Sequence, residues 1–208
     1  MITSDSAALQ VPRHFWRTWL SWVAASTAAI VIGAVLLYAL IPAAEAIVPG
    51  VNEDRLMGWA LIPYMGLMLG VSQWIILHRR VRHAGWWILA TAGGWSIVMA
   101  ASALVMSVPG VAPGSESVAT ITMPLSTLGA GLLLGVLQLP VLYRYLRWSP
   151  LWIVASAAGW LTMGLAIGKS IDRTPDILAL GAIPAAFTGL ALAWLWIDPV
   201  PVSRGPAD

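Results

Sequence analysis

GLMLGVSQWIILHRRVRHAGWWILATAGGW, residues 66–95, and GLLLGVLQLPVLYRYLRWSPLWIVASAAGW, residues 131–160, are two versions of one unit. Shifted by 65 without a gap, 15 of their 30 positions are identical, among them Gly66/Gly131, Gly70/Gly135, Gln73/Gln138, Arg79/Arg144, Arg82/Arg147, Ala90/Ala155, Gly94/Gly159 and Trp95/Trp160. Each unit is apolar, then basic, then apolar. That order predicts two membrane-crossing helices joined by a turn on the cytoplasmic side.

The rest of the chain agrees. It is 59% hydrophobic and only 10% charged, with a mean hydropathy of +0.82. Soluble domains carry about 25% charged residues, so this chain has too little polar surface to cover itself in water. A spanning helix needs about 20 apolar residues. Six such stretches are expected, at 18–41, 57–78, 85–107, 119–143, 149–169 and 177–197. Polar or Pro/Gly-rich breaks separate them, as in Pro109-Gly110-Val111-Ala112-Pro113-Gly114. The expected fold class is all-α: one transmembrane domain over 1–208, a bundle of about six helices containing two tandem, homologous, parallel hairpins.

Arginine placement sets the orientation. Arg13, Arg17, Arg79, Arg80, Arg82, Arg144, Arg147 and Arg204 fall on one side, and Arg55, Lys169 and Arg173 on the other. Eight against three makes the first side cytoplasmic. Both termini are then cytoplasmic, in a multi-pass protein of the cell (inner) membrane. Ala44-Glu45-Ala46 has the form of a signal-peptide cleavage site. The apolar run before it is too long for a signal peptide, so a retained first helix is expected. The pI near 9.4 comes from arginines at helix ends, not from a nucleic-acid patch.

Small residues recur at helical spacing: Gly66/Gly70 and Gly131/Gly135 on the first helix of each unit, Ala90/Gly94 and Ala155/Gly159 on the second. Residues four apart share a face, and small ones let helices approach closely in lipid. These faces are read as the seam within each hairpin. Gln73 and Gln138 are costly in hydrocarbon unless hydrogen-bonded. Trp95 and Trp160 fall near mid-membrane, away from the interfacial belt where tryptophan usually sits. The expected bonds are Gln73–Trp95 and Gln138–Trp160, as structural pairs or as part of a ligand site. Trp16, Trp19, Trp86, Trp87, Trp148, Trp194 and Trp196 are read as belt anchors, as is Trp59 on the outer side. The turn residues Arg79, Arg80, Arg82, Arg144 and Arg147 are read as topology signals that also suit lipid headgroups. Pro140 is expected to kink or end its helix.

Catalytic patterns are sparse. With no cysteine, thiolate chemistry is excluded. There is no H-E-x-x-H and no phosphate-binding glycine pattern. His14, His78 and His83 all fall at the cytoplasmic edge, unsuited to haem ligation within the membrane, and no catalytic residue and no metal site is assigned. Glu45, near the outer end of the first helix, is the candidate for a proton-linked role.

The run G-x-x-x-G-x-x-Q-W-x-x-L-x-R-R, then W-W-x-x-A-x-x-x-G-W, is carried by Gly66, Gly70, Gln73-Trp74, Leu77, Arg79-Arg80, Trp86-Trp87, Ala90 and Gly94-Trp95. It resembles uncharacterised small polytopic bacterial membrane proteins with a repeated hairpin motif. The second copy departs from it, with Leu139-Pro140 after Gln138 and a lone Arg144. The resemblance implies a membrane hairpin and carries no activity.

Three functions are consistent with these residues. The first is a non-catalytic subunit or scaffold of a larger membrane assembly. The second is a protein that binds or transports an apolar, lipid-like molecule between the hairpins, in a pocket bounded by Trp95 and Trp160. The third is a membrane enzyme using outer-face carboxylates such as Glu45. The sequence favours the first. The expected partners are the lipid bilayer and either a membrane protein or further copies of this chain. The sequence names no cofactor.

Overall fold

The computed structural model describes residues 13–47, 53–106, 118–143, 145–146, 148–168 and 177–197. The described residues are helical, without strands. Helix α1 is Arg13–Ile47, α2 Glu53–Leu77, α3 Gly85–Met106, α4 Met123–Tyr143, α5 Leu151–Gly168 and α6 Ile177–Leu195. A π-helical turn, Val118–Thr122, leads into α4. The expected spans match these helices to within a few residues, except that α1 is longer at both ends. Pro140 does not end α4, which runs three residues further, to Tyr143. One lost backbone bond near a helix end is readily tolerated.

Among the described residues, three helices are long and apolar enough to cross a membrane: His14–Leu40, Thr120–Tyr143 and Leu178–Leu195. Pro63–Leu77, Gly85–Ala101 and Leu151–Ala166 form shorter apolar helical segments. The chain is thus a helical membrane protein. Leu20, Ile32, Val35, Leu104, Leu125 and Val154 lie exposed on the outside of the bundle. In water these side chains would be a liability; in a bilayer they are the solvent-facing surface.

Among the described residues, each helix packs on its neighbours in sequence, and α6 closes on α1. The six helices therefore form a ring. The positions that match at a shift of 65 do the same work in it. A methyl group on Gly66 would lie 2.7 Å from Trp95 Cβ and 2.9 Å from the Ala92 backbone. One on Gly131 would lie 2.9 Å from Trp160 Cβ and 2.8 Å from the Ala157 backbone. One turn further on, a methyl on Gly70 would lie 3.0 Å from Ile88 Cα, and one on Gly135 2.8 Å from Ile153 Cα. Gly70 and Gly135 are both buried. All four glycines therefore lie in the seam within a hairpin, where α2 touches α3, and α4 touches α5, almost backbone to backbone.

The expected single seam is corrected on the second helices. Gly94 faces Leu134 and Leu137 of α4, and Gly159 faces Pro184 and Phe187 of α6. They pack one pair of helices against the next. The reason is helical geometry: Gly94 follows Ala92 by two residues, about 200° around the helix, so both cannot face α2. Ala90 and Ala155 are half-buried.

The ring contains a third pair, which a gapless shift of the sequence does not reveal. Gly181 of α6 meets Thr27 and Ile30 of α1. Thr27 and Ile30 stand 65 residues before Ala92 and Trp95. Helix α1 thus takes the place of α3 and α5, and α6 that of α2 and α4, with the chain order of the pair reversed. Trp22, Trp87 and Trp152 are also spaced by 65. Their rings meet edge to face, with centroids 5.9, 5.7 and 5.3 Å apart, a nearly equilateral triangle. Leu77, Leu142 and Leu192 pack with them in one fully buried core. The ring has approximate three-fold symmetry, and this core lies on its axis near the turns that carry the arginines.

Candidate functional site

A glutamine inside this ring must find partners on neighbouring helices, because its own backbone is already paired. Gln73 is one turn from the end of α2, and Trp87 is two residues into α3. The turn between the helices therefore brings them to one level. Trp87 Nε1 donates to Gln73 Oε1 at 2.9 Å, and Trp152 Nε1 donates to Gln138 Oε1 at 2.9 Å. The expected Gln73–Trp95 and Gln138–Trp160 bonds are not the ones formed. Trp95 is ten residues into α3, about 15 Å by the helical rise, whereas Gln73 is about 6 Å from the end of α2. A tilt of the side chain cannot close that difference. Trp87 is accordingly not a belt anchor but a fully buried core residue.

Each glutamine also reaches the preceding pair. Gln73 Nε2 donates to Ser26 Oγ at 3.2 Å, and Gln138 Nε2 to Thr91 Oγ1 at 2.9 Å. Thr91 Oγ1 donates in turn to the Trp87 carbonyl at 2.8 Å. A relay thus runs from Trp152 through Gln138, Thr91, Trp87 and Gln73 to Ser26. At the third position Thr188 replaces glutamine. Its hydroxyl accepts from Trp22 Nε1 at 3.0 Å and donates to the Pro184 carbonyl at 2.8 Å. It is too short to continue to Ser156, the equivalent of Ser26 and Thr91. The relay is therefore an open ring, broken between Thr188 and Ser156.

Two chambers lie on the axis beside this break. The first, about 40 Å3, is lined by Ser26, Gln73, Thr91, Gln138, Ser156 and Thr188, together with Trp95, Trp152 and Trp160. The second, about 310 Å3, is apolar and lies toward the far ends of the helices. Met65, Met99, Met123 and Met163 line it, with Val98 and Ala130. Trp95, Trp160, Ile30 and Leu180 line both chambers and form the waist between them. Ile30, Trp95 and Trp160 are three-fold equivalents, so the waist is narrow on two sides and relieved on the third. The two indoles pack at 5.3 Å, tilted by 59°.

The four residues singled out in sequence, Gln73, Trp95, Gln138 and Trp160, thus converge on one chamber, although not in the expected pairs. Sequence reasoning missed Trp22, Ser26, Thr91, Trp152, Ser156 and Thr188. Its available signal was the 65-residue spacing of Trp22, Trp87 and Trp152.

Arg79, Arg80 and Arg82 are exposed at the turn after α2. The Arg80 guanidinium lies 4.5 Å from the centre of the Trp196 ring, and Tyr145 Oη donates to the Arg82 carbonyl at 3.1 Å. Trp16, Trp86, Trp148 and Trp194 are about half exposed or more, as belt residues are. Trp19 instead donates to the Ala186 carbonyl at 3.0 Å. Arg144, Arg147 and the side chains of Glu45 and Trp59 lie outside the described residues. Among the described residues, no group of three or more His, Cys, Asp or Glu could hold a metal ion.

By fold and site, the molecule is a helical membrane protein with a two-chambered cavity inside a ring of helices. The chain matches no protein-family model, and no curated protein or solved structure is detectably similar to it.

Proposed function

We propose that this protein binds an apolar small molecule inside a six-span bundle of the cell membrane. The reading rests on one observation, the apolar chamber of about 310 Å3 at the centre of the ring. Interiors are normally packed to crystal-like density. A dry engineered cavity of about 150 Å3 already admits benzene, so a chamber about twice that size is room for a ligand. Four methionines suit this role, because the thioether side chain is flexible and polarisable and adapts to irregular apolar shapes. The subunit reading draws its support from absences, of charge and of catalytic groups. The cavity is a positive feature that a scaffold does not need.

In this reading all six helices cross the bilayer, α2–α3 and α4–α5 are the duplicated hairpins, and both termini are cytoplasmic. Fluorescent-protein fusions at each terminus are expected to be bright and alkaline-phosphatase fusions inactive; an active phosphatase fusion at either end overturns the orientation.

The binding test is gentle purification followed by mass spectrometry of extracted small molecules. A stoichiometric apolar species is expected from the native protein. Ala130 is buried and lines the chamber, so Ala130→Phe is expected to fill the space and abolish its recovery. Equal recovery from the variant, or no bound species in either, overturns the proposal. A stoichiometric protein partner with an empty chamber would restore the subunit reading.

A further inference from the structure

We propose that the small polar chamber receives a carbonyl oxygen of the ligand, so that the ligand is a neutral, mainly apolar ketone, quinone or ester. This inference rests on the binding reading above and adds the chemistry of the head group.

Three residues that line the chamber, Ser156, Trp95 and Trp160, make no side-chain hydrogen bond to the other described residues. Ser156 and Trp160 are more than nine-tenths buried. Their equivalents show that this is a departure from the pattern. Ser26 and Thr91 each accept from a glutamine Nε2, and only Ser156 is left without one, because Thr188 stands where the third glutamine would be. A polar group that leaves water without gaining a partner is costly, and these three residues border one chamber.

The chemistry of these groups selects the ligand. An indole N–H is a donor only, and a hydroxyl donates or accepts. Two obligate donors call for an acceptor with two lone pairs and no proton of its own, which describes a carbonyl oxygen. Among the described residues, no ionisable side chain lines either chamber, and an unpaired charge there would be far too costly. The head group is therefore uncharged. About 40 Å3 admits one small group or a few waters, while the apolar body lies beyond the Trp95–Trp160 waist among the methionines.

The test uses the full chain in lipid nanodiscs with a matched pair of probes. Duroquinone carries two carbonyl oxygens on a tetramethyl ring; durene is the same hydrocarbon without them. Binding is read by titration, and contact by the indole N–H resonances in nitrogen-15-labelled protein. Duroquinone is expected to bind about tenfold more tightly than durene, as one to two net hydrogen bonds would give. It should move the Trp95 and Trp160 Nε1–H signals downfield, and durene should not. Thr188→Gln restores the third glutamine, which would bond Trp22 and Ser156 and occupy the chamber. That variant should lose the preference for duroquinone and keep its affinity for durene, with the Trp22 signal marking an intact fold. Equal binding of both probes by the native protein overturns the carbonyl assignment and leaves the binding reading standing. Tight duroquinone binding with unmoved Trp95 and Trp160 signals also overturns it, since the chamber then holds only water. Binding of neither probe overturns both readings.

Discussion

The two glutamine-bearing pairs, α2–α3 and α4–α5, differ from the third pair, α6–α1, at a few decisive positions. Gln73 and Gln138 become Thr188, Trp95 and Trp160 become Ile30, and Ala92 and Ala157 become Thr27. The first two changes shorten side chains that point to the shared axis, and the chambers lie beside them. With three full copies, the relay would close and the waist would carry three indoles. The comparison teaches that the cavity belongs to the asymmetry. The repeated pairs supply a rigid frame, and the divergent pair supplies the space.

The largest expected effect tests the frame. Gly131 has three atoms within 3.0 Å of an added methyl group, two of them backbone, whereas Gly181 has one, with side chains of Ile30 at 3.3 Å and beyond. Gly131→Ala is therefore expected to cost about 3 kcal/mol, the upper end for overpacking, and Gly181→Ala about 1 kcal/mol. Gly66→Ala should fall between them. Gly129→Ala, with nothing within 4 Å, is the unstrained control, expected to gain about 0.5–1 kcal/mol from helix propensity alone. Unfolding by denaturing detergent measures the series. Equal losses at Gly131 and Gly181 would mean that α6–α1 is packed as tightly as the repeated pairs.

Next come the glutamines. Gln138→Leu strands the Trp152 N–H and removes the donor to Thr91. The loss is expected to be about 2 kcal/mol, since stranding a buried donor costs about 1–3 kcal/mol while hydrogen bonds in membranes are individually modest. Gln73→Leu should cost less, because its bond to Ser26 is 3.2 Å against 2.9 Å to Thr91. The same unfolding assay decides it, and a reversed order would place the weight of the relay on the α1–α2 side.

Most of the frame was readable in the sequence. The 65-residue shift located four helices, their turns and the close approach at Gly66, Gly70, Gly131 and Gly135, because a gapless repeat keeps helical register. The third pair was hidden for a topological reason. Its two helices sit at opposite ends of the chain, so no single shift aligns both with a hairpin, and only Arg17, Trp22, Ala25, Gly181 and Leu192 match both of their equivalents. The site was half readable. Glutamine in an apolar helix announces a polar network, but which tryptophan it meets depends on depth, and the difference in depth between Trp95 and Gln73 exceeds what a side-chain tilt can bridge. The chambers were not readable at all, since they arise from residues smaller than their counterparts, and smallness carries meaning only once the counterparts are known.

A smaller effect probes the third position directly. Thr188→Val keeps the shape and removes the acceptor for Trp22 Nε1. One indole N–H is left unpaired, so the expected loss is about 1 kcal/mol, below that of Gln138→Leu. The Trp22 indole resonance should move upfield while those of Trp87 and Trp152 stay in place. If all three move, the tryptophan triangle responds as one body, and the divergent pair is mechanically part of the frame.

The smallest effect has the opposite sign. Thr27 Oγ1 is buried with no hydrogen-bond partner, at the position occupied by Ala92 and Ala157 in the other pairs. An unpaired hydroxyl in an apolar seam is a cost, and the alanine at both equivalent positions shows that the seam accepts the smaller side chain. Thr27→Ala restores the repeated residue and is expected to raise stability by about 0.5–1 kcal/mol, less if the lost methyl leaves a small void. It should leave the chambers unchanged, because Thr27 lines neither. Stability and cavity would then separate within one pair of helices: Thr27 could return to the repeated residue with binding unchanged, whereas Thr188 could not return to glutamine without losing the preference for a carbonyl. A drop in ligand binding in Thr27→Ala would instead tie the seam to the cavity and make the whole α6–α1 face part of the site.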